Sequence, residues 1–97
     1  MTLRFQPRPF TNQTAFHCRA PQAHQVSLVI RSSKEGGPST HPMHKAVDGC
    51  WHIQLELPRG RYLYRFLVDG HPQLDPTSRG SIPDDHGGTS SIREVGH

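Results

Sequence analysis

Two alternating stretches near the middle of the chain constrain its fold more than any other feature. In residues 51–57 every second residue is apolar, beginning with Trp51, and the same holds in residues 62–68, beginning with Tyr62. A period of two matches a β-strand with one buried face. The sequence therefore predicts two strands, each with one face in a hydrophobic core.

The segment that joins these strands is short and contains a glycine, Pro58-Arg59-Gly60, which is typical of a β-hairpin. A hairpin with matched apolar faces pairs Leu57 with Tyr62 and continues along both strands. A slip of one residue would expose one apolar face to water, so the register is strongly specified. We therefore predict adjacent antiparallel strands that bury Trp51 and turn Arg65 outward.

The rest of the chain predicts short strands separated by turns. Nine prolines are spread along the 97 residues, and no segment between them has the period of a long amphipathic helix. Strand and turn signals fall at residues 14–19, 25–31, 43–47 and 90–95, at Asp48-Gly49 and at Asp69-Gly70. Short strands without helices are typical of an antiparallel sandwich. We predict one all-β domain at residues 13–97, preceded by an arm at residues 1–12.

Composition and charge exclude several classes of protein. No apolar run approaches the ~20 residues of a membrane-spanning helix, and the first residues lack the apolar core of an export signal. The eleven Lys and Arg residues are interleaved with acidic ones, which argues against nucleic-acid binding. We interpret Cys18 and Cys50 as free thiols of a reducing cytoplasm. The sequence thus indicates a cytoplasmic protein that contacts neither membrane nor nucleic acid.

The eight histidines raise the hypothesis of a metal site. Zinc sites in short chains usually combine two pairs of Cys or His at ligand spacing, whereas His41 and His44 form one loose pair, interrupted by Pro42. A hydrolytic role for Ser90 near His86 would need a Gly-x-Ser-x-Gly turn, which the sequence lacks. We therefore predict no metal, no cofactor and no catalytic residue.

A set of short motifs in the second half of the chain resembles a known family. Residues 62–70 read Tyr-Leu-Tyr-Arg-Phe-Leu-Val-Asp-Gly, and Asp75-Pro76 and Gly87-Gly88 follow. This order resembles the early-set domain at the N-terminus of isoamylase and glycogen branching enzyme, and the glycogen-binding domain of the AMP-activated kinase beta subunit. The resemblance implies an immunoglobulin-like (early-set) antiparallel β-sandwich, of about seven short strands, and non-catalytic binding of α-glucans such as glycogen.

The resemblance also implies which residues contact sugar. One is the basic residue of the Tyr-x-Tyr-Arg-Phe strand, here Arg65, and another is Ser90, which stands where the family has an asparagine. The two tryptophans of the family's sugar platform are absent, since residues 32–37 replace one and Pro72 stands near the other. An aromatic ring buries the apolar face of a sugar, and each hydrogen bond nets only about 0.5–1.5 kcal/mol. Weak sugar binding is therefore expected.

The hairpin register places Gln54 beside Arg65 on the polar face, with Leu67 further along. We therefore predict a shallow carbohydrate-binding surface formed by Arg65, Gln54, Leu67 and Ser90. From the residues alone, Arg65 is better explained as a cross-strand partner of Gln54 or Glu56, and only the resemblance makes a sugar contact equally good an explanation. The alternative function is a protein-interaction or regulatory module without sugar binding, and free edge strands can also pair two copies as a homodimer.

Overall fold

The computed structural model describes residues 11–34, 37–83 and 88–96. The predicted N-terminal arm falls mostly on residues 1–10, which lie outside the described residues. All regular structure in the described residues is β-strand, and no helix among them has the length and apolarity to cross a membrane. The strands are β1 (Thr11–Arg19), β2 (Val26–Ser32), β3 (Ser39–Pro42), β4 (His44–Lys45), β5 (Cys50–Pro58), β6 (Gly60–Val68), β7 (His71–Gln73), β8 (Ser81–Pro83) and β9 (Thr89–Val95).

The strands form two antiparallel sheets that face each other across one core. The small sheet has the order β1-β5-β4, and the large sheet has the order β3-β2-β6-β9-β8, with β7 also paired to β6. This is the predicted immunoglobulin-like, early-set β-sandwich. The described residues hold nine strands where about seven were expected, because β4, β7 and β8 are short pieces of two or three residues.

The predicted hairpin between the two central strands is wrong. Both stretches are strands, but β5 pairs with β1 and β4, whereas β6 pairs with β2, β7 and β9. Only Arg59 separates them, and Gly60 starts β6 with a φ of 151°, a conformation that side-chain-bearing residues rarely adopt. The chain therefore passes directly from one sheet to the other. The apolar faces of β5 and β6 meet across the core, not side by side.

The large aromatic side chains lie in the core, as predicted. Trp51 is 7% exposed, and its indole N–H donates to the carbonyl oxygen of Ala20 at 2.9 Å. Tyr64 is 2% exposed, and its hydroxyl donates to Asp75 Oδ2 at 2.6 Å. The ring of Phe16 contacts Tyr64 edge-on, with centroids 5.0 Å apart. Each buried polar tip thus has a partner, which lets the aromatic body stay in the core.

Asp69 fastens the turn between β6 and β7 to the loop that precedes β2. Its Oδ1 accepts the backbone N–H groups of His24 and Gln25, each at 2.9 Å. The hydrogen bond from Gln25 is the largest cause that lowers the pKa of Asp69 below its ordinary value. Asp69 itself has a φ of 50°, a region that, apart from glycine, Asp and Asn adopt more readily than other residues.

We expect Asp69→Asn to reduce the acid sensitivity of the fold. Asparagine keeps an acceptor oxygen and tolerates the positive φ, so the change isolates the charge. The folded-state pKa lies below the unfolded value of about 3.9. The carboxylate therefore stabilises the fold above that value, and its contribution is lost as the pH falls through the folded pKa. Urea denaturation near neutral pH and near pH 3 measures the free energy of unfolding at each pH. An equal decrease between the two pH values in the wild type and in the variant would contradict the prediction.

Candidate functional site

Arg65 lies in the middle of β6, on the face of the large sheet that points away from the core. The residues on either side of it are buried, so strand alternation turns Arg65 outward, as predicted. Its cross-strand neighbour on β2 is Val29. The suggested pairing with Gln54 or Glu56 is wrong, because both residues belong to β5 of the small sheet.

Arg65 borders a shallow recess of about 60 Å³ on this outer face. Leu63 of β6, Val29 of β2 and Ser90 of β9 also line the recess. A β-carbon at Gly88 would lie 3.1 Å from Arg65 Nη1. The guanidinium therefore packs close to the backbone of Gly88, where a larger residue would crowd it. The recess is much smaller than the ~300 Å³ at which small-molecule pockets begin. It therefore offers surface contact, not enclosure. We call this outer surface, with Leu67, the Arg65 face.

The structure brings three of the four predicted sugar-contact residues to the Arg65 face. Leu67 follows Arg65 by two positions on β6 and pairs with Pro72 of β7. Ser90 lines the recess but is only 2% exposed, so little of its side chain is open to a ligand. Gln54 is not at this face. It is exposed on the small sheet, on the far side of the sandwich, because β5 does not pair with β6.

No Phe, Tyr or Trp ring among the described residues replaces the missing sugar platform. These rings are at most 7% exposed and belong to the core: Phe16, Trp51, Tyr62, Tyr64 and Phe66. Pro72, at the position near the family's second tryptophan, is exposed. Phe5 and Phe10 lie outside the described residues. Within the described chain, the Arg65 face therefore offers a guanidinium and aliphatic side chains.

A larger cleft of about 790 Å³, which residue patterns do not predict, opens beside β9. Its charged lining comprises Arg61, Arg79, Arg93, Asp75 and Glu94. Arg61 Nε donates to Glu94 Oε2 at 2.7 Å, so these two residues form an ion pair. The lining comes from β6, β9 and the loop between β7 and β8. Their meeting depends on tertiary pairing, which residue spacing does not reveal.

Two buried groups near the core have shifted pKa values. Burial raises the pKa of the Cys18 thiol, and the nearby Asp75 raises it further. Burial, followed by the hydrogen bond to Asp75, raises the pKa of Tyr64. Both groups therefore stay protonated at neutral pH, and neither is an activated nucleophile. His86, considered above for a hydrolytic arrangement, lies outside the described residues.

The sequence matches carbohydrate-binding module 48 (isoamylase N-terminal domain) over residues 3–78. None of the curated proteins matches the chain. Among solved structures it is similar to pullulanase from Anoxybacillus sp. LM18-11, with a TM-score of 0.68, 22% identity, and coverage of 81% of this chain and 12% of that chain. It is also similar to pullulanase type I from Bacillus subtilis str. 168, with a TM-score of 0.68, 14% identity, and coverage of 97% and 14%.

The chain thus spans only about an eighth of the length of these pullulanases, 12% and 14%. At such identities the likeness establishes a shared fold and nothing more specific. The family match extends over most of the chain, from residue 3 to residue 78, and it agrees with the two facing sheets and the buried aromatic strand. The chain belongs to carbohydrate-binding module 48, the family of the isoamylase N-terminal domain.

Proposed function

We propose that this module binds α-glucan, without catalysing a reaction, on the Arg65 face. Family membership supports carbohydrate binding in general. The similar pullulanases include one complexed with maltose and one complexed with maltotriose, both short α-glucans. The observation that carries the proposal is the placement of Arg65, whose guanidinium is held outward at mid-sheet, over Gly88 and beside Val29.

The chemistry of the face suits a weak sugar contact. A guanidinium offers five N–H donors in a rigid fork, and two of them can reach neighbouring hydroxyls of one glucose unit. Val29 and Leu67 supply aliphatic surface for the C–H face of the ring. A few hydrogen bonds of about 0.5–1.5 kcal/mol each give dissociation constants in about the millimolar range. Useful binding therefore requires a polymer that presents many equivalent units.

Native gel electrophoresis with dissolved glycogen tests this function. We expect glycogen to retard the protein, and a soluble maltooligosaccharide to relieve the retardation. Arg65→Ala should weaken the apparent affinity by about tenfold, the equivalent of one or two lost hydrogen bonds. The variant should keep its unfolding curve, since the side chain points away from the core. Unchanged mobility of the wild-type protein at high glycogen concentration would rule the function out.

A matched pair of glycine variants distinguishes the effect of displacing the Arg65 side chain from the effect of backbone strain alone. Gly88 and Gly70 have φ values of 82° and 85°, so alanine imposes the same backbone strain at either position. Only at Gly88 does the new β-carbon meet Arg65 Nη1, at 3.1 Å, whereas nothing lies within 4 Å at Gly70. Gly88→Ala should weaken glycogen retardation, and Gly70→Ala should leave it close to wild type. Equal effects would contradict the role given to Arg65.

A protein-interaction module on the same face is the alternative function. It is favoured because the described residues contain no exposed Phe, Tyr or Trp ring that could serve as a sugar platform. Aliphatic surface around an arginine suits a protein partner as well as a sugar. It predicts one stoichiometric protein partner and no retardation by glycogen.

We also infer a reducing, cytoplasmic location, supported by the two unbridged thiols of Cys18 and Cys50. Pairing of two copies through the outer edge of β1 is a further proposal.

A further inference from the structure

Three histidines form a row across the small sheet. His17 of β1 pairs with His52 of β5, and His52 pairs with His44 of β4. All three residues are exposed. Directly paired residues of antiparallel strands project from the same face, with Cβ atoms about 4.5–5.5 Å apart. The three side chains therefore project from the outer face of the small sheet, on the opposite side of the sandwich from the Arg65 face.

We propose that His17 and His52 together bind one divalent transition-metal ion, with Zn²⁺ as the representative ion. Among the described residues, no three His, Cys, Asp or Glu side chains gather closely enough to hold a metal. The binding unit is therefore this pair, and water completes the coordination. His44 is the next donor along the row.

The distance between the two rings fits a shared ion after a small movement. The ring centroids of His17 and His52 are 6.3 Å apart, with ring planes tilted by 37°. A Zn–N bond of about 2.0–2.1 Å and tetrahedral angles place two ligand ring centroids about 5 Å apart. Each exposed ring therefore has to move by less than about 1 Å, which side-chain rotation supplies. The paired backbone that carries the rings need not move.

The surroundings determine which ions fit and how tightly. Imidazole nitrogen suits Zn²⁺, Cu²⁺ and Ni²⁺, whereas Mg²⁺ and Ca²⁺ prefer oxygen ligands. Arg19 shares this face two positions after His17, and its charge opposes a cation, so we expect moderate affinity. Cys50 lies two positions before His52, about 6.8 Å along the strand, which is further than the cross-strand ring.

This site departs from the sequence-based prediction of no metal for a simple reason. That prediction required two pairs of ligands at short spacing along the chain, of which His41 and His44 were the one loose example. His17 and His52 lie far apart in sequence, and the β1–β5 register alone brings them together. Binding at this site does not depend on the proposed glucan function, because the two surfaces are on opposite faces of the sandwich.

Isothermal titration of Zn²⁺ into the whole chain, with Mg²⁺ as a negative control, tests the site. We expect one Zn²⁺ per chain and no binding of Mg²⁺. His17→Ala and His52→Ala should each weaken Zn²⁺ binding by at least about tenfold, because either change leaves a single imidazole. His71→Ala, at an exposed position on the large sheet, and Cys50→Ser should bind as the wild type does.

Zn²⁺ binding that survives in the His17→Ala/His52→Ala double variant would overturn the proposal. So would loss of binding in Cys50→Ser or in His71→Ala, since either result places the ion elsewhere. Absence of binding by the wild-type chain at millimolar Zn²⁺ would overturn it as well. Thermal unfolding of each variant without metal checks that the fold is intact, and glycogen retardation should be the same in all of them.

Discussion

Replacing Phe16 with alanine is expected to lower the free energy of unfolding by about 3–5 kcal/mol. Phe16 lies on β1 of the small sheet and is 1% exposed. Its ring contacts Tyr64 of the large sheet, with centroids 5.0 Å apart, and the guanidinium carbon of Arg93 lies 5.0 Å from its centroid. Alanine removes both contacts and leaves a cavity between the sheets. Urea denaturation followed by the fluorescence of Trp51, the single tryptophan, measures the loss.

Phe16→Leu is the matched control for this core variant. Leucine keeps most of the buried volume but removes the ring, so its cost should be clearly smaller than that of alanine. The control also keeps the prediction testable if Phe16→Ala proves too unstable to purify, because total stability of such domains is only about 5–15 kcal/mol. A loss below about 1 kcal/mol in Phe16→Ala would contradict the packing of β1 against the large sheet.

The second large effect is expected for Asp75→Ala, at about 2–3 kcal/mol of unfolding free energy. Asp75 Oδ2 accepts the hydroxyl of Tyr64 at 2.6 Å. Its Oδ1 accepts the backbone N–H and the hydroxyl of Thr77, at 2.9 Å and 2.7 Å. Alanine removes all three hydrogen bonds and leaves the Tyr64 hydroxyl buried without this acceptor, which is costlier than losing an exposed bond.

A double-mutant cycle with Tyr64→Phe isolates the central hydrogen bond of this network. Additive losses in the two single variants would contradict a coupled Tyr64–Asp75 pair. The pH dependence gives a second readout. Because the pKa of Tyr64 is raised in the folded state, the unfolded chain ionises first. Stability is therefore retained below about pH 10 and falls as the pH rises above it. Tyr64→Phe should reduce that alkaline loss.

Alternation predicts which face of a strand is buried but not which strand lies beside it. The period of two correctly placed Trp51 and Tyr64 in the core and turned Arg65 outward. The same pattern is satisfied when two strands lie side by side in one sheet and when they face each other from two sheets. The chain crosses from one sheet to the other at Arg59-Gly60, which produces the second arrangement. In the sequence this crossing is marked only by one glycine, and a hairpin turn would contain a glycine equally often.

The wrong pairing explains which part of the predicted site failed to assemble. Arg65, Leu67 and Ser90 reach one face because β6 and β9 are neighbours, and the family resemblance pointed to two of them, Arg65 and Ser90. Gln54 was added from the hairpin register alone, and it lies on the other sheet. The closeness of Gly88 to Arg65 has no signal in residue spacing, because it depends on where a loop closes over the sheet.

The position of β1 ahead of its partner affects how the protein is made. The β1–β5 register runs from Arg19 opposite Cys50 to Thr11 opposite Pro58, so the partner is translated about 30 to 50 residues later. At about 5–20 residues per second, β1 waits about 2–9 s on the ribosome before it can pair. Throughout that interval β1 has no partner strand, so the backbone groups on that edge stay unpaired until β5 has been made. Slower translation of the segment between the two strands would lengthen the interval in proportion.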